Sequence, residues 1–389
     1  MLKIKKTMLF CIVMLFLLPK TYGQTPVAII PFEPYNESIV LHVKLNNNPR
    51  ILRLLFDTGA DGMAVTQALA DTLGLKVSRQ QNTSVVGGSM QISISAGNEV
   101  HLDGFTLKNQ SIALFKDMGK ELDGIIGNTM TRQYITKIDF DKKELSLYNF
   151  DNYNYEKGGT IVPITITGVF IIPGQVAINV DKPYIGNFVF DTGAAYNLIC
   201  FRPFVKQNRL LVSGFKQEYQ ASTTSMGISS PTFNGKAASF SFANAKPIIN
   251  MPVTLMAGGG QNENWKPGFD GSIGMRLIYR YNFTINLQKK EIYLTPNKNA
   301  THPLDFILGG YVFGFNLKGE LAMQNSTTHH PDQKIKTNAI IKSINGVTDQ
   351  SMLKNPDGLK RLLAAPAGTK MTIEYQEDGK LLKENIVIR

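Results

Sequence analysis

The sequence of 389 residues holds two cysteines, one tryptophan and five histidines, and each shortage closes off some chemistry. Cys11 lies in an N-terminal apolar run, so Cys200 alone belongs to the folded part, and one cysteine makes no internal disulfide. Stability must come from burial, which a chain of this length can supply. Following Leu198-Ile199, Cys200 reads as a small buried hydrophobe, not a reactive thiol. The histidines (His42, His101, His302, His329 and His330) show no metal-ligand spacing such as His-Glu-x-x-His, and no metal is expected. There is no Gly-x-Ser-x-Gly elbow and no cysteine–histidine nucleophile pattern. Gly258-Gly259-Gly260 has no Lys or Ser/Thr in the places a phosphate loop needs, so no cofactor is expected. Lys and Arg outnumber Asp and Glu by 41 to 30, yet no basic run is interleaved with aromatics, which argues against a nucleic-acid partner.

Long hydrophobic runs are missing as well. The apolar stretch from Met8 to Leu18 is too short to span a bilayer. It follows Lys3, Lys5 and Lys6 and precedes Thr21-Tyr22-Gly23, which has small residues at the two positions a signal peptidase needs. Residues 1–23 therefore read as a signal peptide cleaved before Gln24, with a retained anchor as the alternative; export would end in the periplasm or outside. Loss of four lysines with this segment (Lys3, Lys5, Lys6, Lys20) takes the net charge from +11 to +7, a mild surplus that fits solubility or weak attraction to acidic partners.

What the chain does contain, it contains twice. Leu54-Leu55-Phe56-Asp57-Thr58-Gly59-Ala60-Asp61 returns as Phe188-Val189-Phe190-Asp191-Thr192-Gly193-Ala194-Ala195. Downstream, Asp123-Gly124-Ile125-Ile126-Gly127 is answered by Asp270-Gly271-Ser272-Ile273-Gly274, and the two blocks run on in register to Leu147 and Leu294. This is an internal duplication. In each copy a strand-like apolar run delivers an Asp into a Thr-Gly turn. A carboxylate buried alone is costly. Two brought together share one proton and hold a water between them, which is a hydrolytic device.

The pair of blocks resembles the aspartic protease superfamily, in its retropepsin-like branch with two lobes on one chain, over roughly residues 28 to 296. The resemblance implies a mainly β fold: two retropepsin-like β-barrel lobes, 24–155 and 156–298, forming a pepsin-type bilobal protease. It implies that Asp57 and Asp191 are catalytic and that Thr58 and Thr192 interlock between the lobes. It also implies that Gly59, Ala60, Gly193 and Ala194 support the active-site loops. Asp61 matches an acidic residue that the family uses to accept substrate N–H groups; a solvated turn acid is the alternative. Val85-Val86-Gly87-Gly88 and the segment around Met226-Gly227 sit where flaps over a cleft would contact substrate, or are ordinary turns. Ser272 departs from the apolar residue the family pattern carries. Ala60 and Ala194 bring no hydroxyl to either carboxylate, which points to activity at mildly acidic to near-neutral pH. Trp265 reads as core cover in preference to a cleft edge.

After Pro296 the composition changes. Residues 302–389 resemble a PDZ domain, a small β-sandwich with one helix, in which Phe313, Gly314 and Phe315 would receive a peptide terminus. A structural tail is the alternative. The expected function is that of an exported aspartic endopeptidase acting on peptides or proteins as a monomer, since both Asp-Thr-Gly loops are on one chain. The other reading is a peptide-binding scaffold that does not cleave.

Overall fold

The computed structural model describes residues 24–119, 121–151, 153–243, 246–256, 265–327, 334–348 and 356–388. Residues 1–23, read above as a signal peptide, and Gly258-Gly259-Gly260 and His329-His330 lie outside the described residues. The fold is mainly β, 53% strand against 8% helix.

Each copy of the duplicated sequence builds the same eight-stranded sheet. In the first lobe Leu52–Phe56 runs parallel to Gly124–Ile126, which pairs on its other side with Met63–Thr66. In the second lobe Pro183–Phe190 runs parallel to Gly271–Ile273, which pairs in turn with Leu198–Cys200. The period-two pattern explains the first of these strands: Leu52, Leu54 and Phe56 are buried and the residues between them are not. Both Asp-Gly pairs serve the same purpose here. Asp123 accepts the Arg53 N–H at 2.9 Å and Asp270 accepts the Asn187 N–H at 2.7 Å, tying the entry of each crossing strand to the loop strand beside it.

A six-stranded antiparallel sheet joins the lobes, three strands from each, in the order Ala28–Pro31, Glu144–Tyr148, Ile135–Asp139, Tyr281–Asn286, Glu291–Pro296, Thr160–Pro163. Lys137 pairs with Thr284, its own counterpart in the duplication, so the pseudo-two-fold axis passes through this pair. A short helix in the first lobe spans Gln67–Leu73; Thr66 caps it and Gly74 ends it at φ 71°.

The C-terminal unit is a seven-stranded sheet with the helix Pro356–Leu363. Its hairpin Phe306–Leu308/Tyr311–Phe315 corrects one expectation. Tyr311–Phe315 pairs with Phe306–Leu308 on one side and Leu321–Ser326 on the other, and Phe313, Gly314 and Phe315 are buried. No open strand edge is left at these residues for a peptide to join. The signal for that hairpin, Gly309-Gly310, stands in the sequence just before the residues expected to form a carboxylate-binding loop.

This unit touches both lobes. Leu317 N–H donates to Asn36 O of the first lobe at 3.2 Å. Toward the second lobe, Asp305 accepts from Asn197 at 2.8 Å and from Arg276 at 3.1 Å, while Arg276 also donates to Gln324 at 2.7 Å. His302 sits in the same junction, against Phe315 at 4.7 Å and hydrogen-bonded to Tyr279 Oη at 3.2 Å. Burial, with Arg280 and Lys298 nearby, lowers its pKa from 6.5 to about 4. The unfolded chain thus binds a proton below pH ~6.5 that the folded chain refuses until about pH 4, so this stabilisation is complete above 6.5 and is lost as pH falls. The shift is worth at most roughly 3.5 kcal/mol at about 1.4 kcal/mol per unit, and solvent screening trims that to about 2. We expect thermal melts to show wild type losing about 2 kcal/mol more than His302→Phe between pH ~6.5 and ~4.

Candidate active site

The two Asp-Thr-Gly loops meet where the lobes face each other. Thr58 N–H donates to Thr192 Oγ1 at 2.9 Å, and Thr192 N–H donates to Thr58 Oγ1 at 3.0 Å. Each hydroxyl then donates onward across the lobe boundary, Thr58 to Phe190 O at 2.5 Å and Thr192 to Phe56 O at 2.8 Å. Both threonines are fully buried, so all four bonds replace contacts with water. Leaving one such group unsatisfied costs on the order of 1–3 kcal/mol, which fixes the loops against each other.

That lock sets the carboxyls face to face. Gly59 N–H donates to its own Asp57 at 2.8 Å and Gly193 N–H to its own Asp191 at 3.0 Å. Each glycine also lies against the opposite carboxyl: a Cβ on Gly59 would stand 2.5 Å from Asp191 Cγ, and one on Gly193 would stand closer still to Asp57 Cγ. Asp57 and Asp191 are hydrogen-bonded to each other. Solvent reaches them through a cavity of about 1090 Å³ while the surrounding protein strips most of their hydration. Burial first, and then the charge of Asp191, hold the Asp57 carboxyl well above the usual range. Burial raises Asp191 too, with a hydrogen bond from Ser272 the largest opposing influence. The pair therefore retains a proton at a pH where ordinary carboxyls have lost theirs. The alanines bring no hydroxyl, as expected from the sequence, but Asp191 receives one from Ser272 on the crossing strand.

Two hairpin tips close over this floor. Val86-Gly87 turns between Arg79–Val85 and Gly88–Leu102, and Met226-Gly227 turns between Gln217–Ser225 and Ile228–Phe242. The tips touch, since a Cβ on Gly88 would meet Ile228 Cδ1 at 3.0 Å. They also exchange apolar side chains. Val86 packs among Ile199, Phe201, Met256 and Trp265 of the second lobe. Met226 packs on the first lobe's cluster of Ala64, Ile92, Ile94, Phe115 and Ile125. Trp265 both covers that second-lobe cluster and faces the cavity.

Asp61, its side chain 67% exposed, forms an ion pair with Arg132 on the cavity wall. Asn128, fully buried, donates to Thr58 O at 3.0 Å and to Gly168 O at 3.1 Å, bracing the first loop against the second lobe. Sequence reasoning missed Arg132, Asn128 and Arg276. Their signal was a break in the duplication, because Asn128 aligns with Met275 and Thr129 with Arg276. The wall beyond Arg276 belongs to the C-terminal unit, through Asp305, Phe306, Ile307, Val312 and Asn325. Cys200 is buried outside the site, and burial pushes its thiol far up and out of reach of nucleophilic chemistry.

Comparison with family models matches residues 41–130 to the aspartyl protease family. Those residues form an aspartyl protease domain of the retropepsin-like kind. The match runs from within the strand Ser38–Leu45 through Asp57, the first flap-like hairpin and Ile125-Ile126-Gly127 to Met130. The second lobe lies beyond the matched residues and repeats the strand order of the aspartyl protease domain. No curated protein matches the chain.

Proposed function

We propose that this chain is an exported aspartic endopeptidase whose active site is the Asp57–Asp191 dyad. One observation carries the reading: two half-buried carboxyls held against each other at the floor of an inter-lobe cavity, on loops locked together by Thr58 and Thr192. Membership of residues 41–130 in the aspartyl protease family supports it. Keeping two like-charged groups together in a desolvated site has a chemical use only if they share a proton. Aspartic proteases as a class split the pKa values of two such carboxyls for this purpose.

In the reaction, the ionised carboxylate takes a proton from a water while that water's oxygen bonds to the scissile carbonyl carbon. The protonated carboxyl passes its proton to the carbonyl oxygen, giving a neutral gem-diol. On collapse the C–N bond breaks, a proton from the site moves to the departing nitrogen, and a carboxylic acid and an amine leave. Gly59 and Gly193 keep the space above each carboxyl clear for this water. Gly87, Gly88, Met226 and Gly227 are proposed to cover the bound chain from above, and the Asp61–Arg132 pair to contact its backbone on the first-lobe side.

A bound peptide would leave the dyad along the wall built by Ile307, Val312 and Asn325, so the PDZ-like unit serves to extend the substrate site. Both dyad members sit on one chain, and a monomer is sufficient. Export rests on the leader at 1–23.

The test is digestion of a peptide library from a denatured proteome across about pH 3 to 8, with new termini read by mass spectrometry, against the Asp191→Asn chain. Discrete cleavage that disappears in Asp191→Asn is expected. Cleavage that survives the change overturns the reading, and peptide retention without cleavage would favour a binding scaffold.

A further inference from the structure

The strands beneath the two loops differ at one buried position. In the first lobe Ile125 pairs with Leu55 and Ala64; in the second, Ser272 pairs with Val189 and Ile199. Both residues face the cavity, and Ser272 is 2% exposed. A hydroxyl among such neighbours is costly unless it finds a partner. Ser272 lines the same cavity as Asp191, whose N–H donates to the O of Ile273, the next residue along, at 3.0 Å; this places the Ser272 hydroxyl beside the Asp191 carboxylate as the available acceptor. Asp57 has the apolar Ile125 in the equivalent place and gains no such bond.

Loop amides serve both carboxyls, Gly59 and Gly193 on Asp57, Gly193 and Ala194 on Asp191. The side chains beneath the dyad therefore give it a built-in asymmetry. A hydroxyl donated to a carboxylate favours its ionised form. We propose that Ser272 is a positioning residue that keeps the shared proton on Asp57, making Asp191 the base toward water and Asp57 the acid toward the scissile carbonyl oxygen. Ser272 acts through Asp191 and touches no substrate. The lesser rise of the Asp191 pKa, with Ser272 opposing burial, agrees with this direction.

The ionisable group facing Asp191 is Asp57; Ser272 and the Gly193 and Ala194 amides around it are neutral. Further along the wall stand Arg79 and three charge pairs, Asp61 with Arg132, Glu218 with Lys236, and Arg276 with Asp305.

The inference rests on the dyad reading, and one experiment separates the two. The pH dependence of kcat/KM on a cleaved peptide is measured for wild type, Ser272→Ala, Ser272→Thr and Asp191→Asn, with thermal melts of each. Ser272→Ala is expected to move the acidic limb up by about one pH unit, a loss of about tenfold on that limb, with KM unchanged. Ser272→Thr, which restores the hydroxyl, should return the limb to its wild-type place. If Asp191→Asn is inactive and the Ser272→Ala profile superimposes on wild type, the inference fails and the dyad stands. A uniform loss at every pH, in step with a lowered Tm and not recovered by Thr, marks a packing role and also overturns it. Cleavage by Asp191→Asn removes the dyad itself.

Discussion

Asp57→Asn is expected to lower peptide hydrolysis by about 10³-fold or more and, at neutral pH, to make the protein more stable. The first effect follows from deleting one half of a proton relay, since general acid–base groups contribute roughly 10² to 10⁴. The second follows from the sign of the shift. Burial and the charge of Asp191 hold the folded Asp57 pKa well above the ordinary 3.8. Between the unfolded and folded values the native chain keeps a proton that the unfolded chain releases, so stability declines as pH rises through that window. Above it the native state carries the full cost of a desolvated charge beside another. Asn keeps the shape and removes the charge. Its gain in Tm, a few degrees at pH ~7, should therefore shrink as the pH is lowered and vanish below about pH 4. Melts of both proteins across that range decide it. A lower Tm for Asp57→Asn at neutral pH would mean that the carboxyl stabilises the fold, and the dyad would then be an ordinary hydrogen-bonded pair.

The features that could be read from the sequence are those written locally and written twice. An apolar run, an Asp-Thr-Gly turn and an Asp-Gly strand entry each occupy a few adjacent residues, and the repetition located the lobes. Contacts made across the lobes were not legible. Val86 and Met226 carry no local sign that each will settle in the other lobe's apolar cluster, because that choice is made by tertiary approach alone. Ser272 was visible only as an irregularity: nothing in the residues beside it says that its hydroxyl will reach Asp191. Asp305 was passed over because its partners, Asn197 and Arg276, belong to the preceding unit. The broken positions of the duplication proved more informative than expected, since Ser272 and Arg276 both mark places where the second lobe does something the first does not.

Gly193→Ala is the substitution in which geometry alone should abolish function. The added methyl would fall almost on Asp57 Cγ, within 2.5 Å of both carboxyl oxygens as well. A flexible surface side chain could swing aside, but Asp57 cannot, because the threonine lock holds its loop through four buried hydrogen bonds. Either the carboxyls part or the lock opens. A displacement of about 1 Å at reacting groups costs on the order of 10²-fold, so kcat/KM should drop by at least that factor. Overpacking of this kind also costs about 1–3 kcal/mol of stability. Gly59→Ala should behave alike, because its Cβ would meet Asp191 in the same way. Gly358→Ala is the control: in the helix Pro356–Leu363 its Cβ would meet Val347 at an ordinary 3.6 Å, and cleavage should be unchanged. Activity assays with melts on the three variants separate a crowded dyad from a general intolerance of alanine. Near-wild-type turnover by Gly193→Ala would mean that the carboxyls do not need to face each other at this distance.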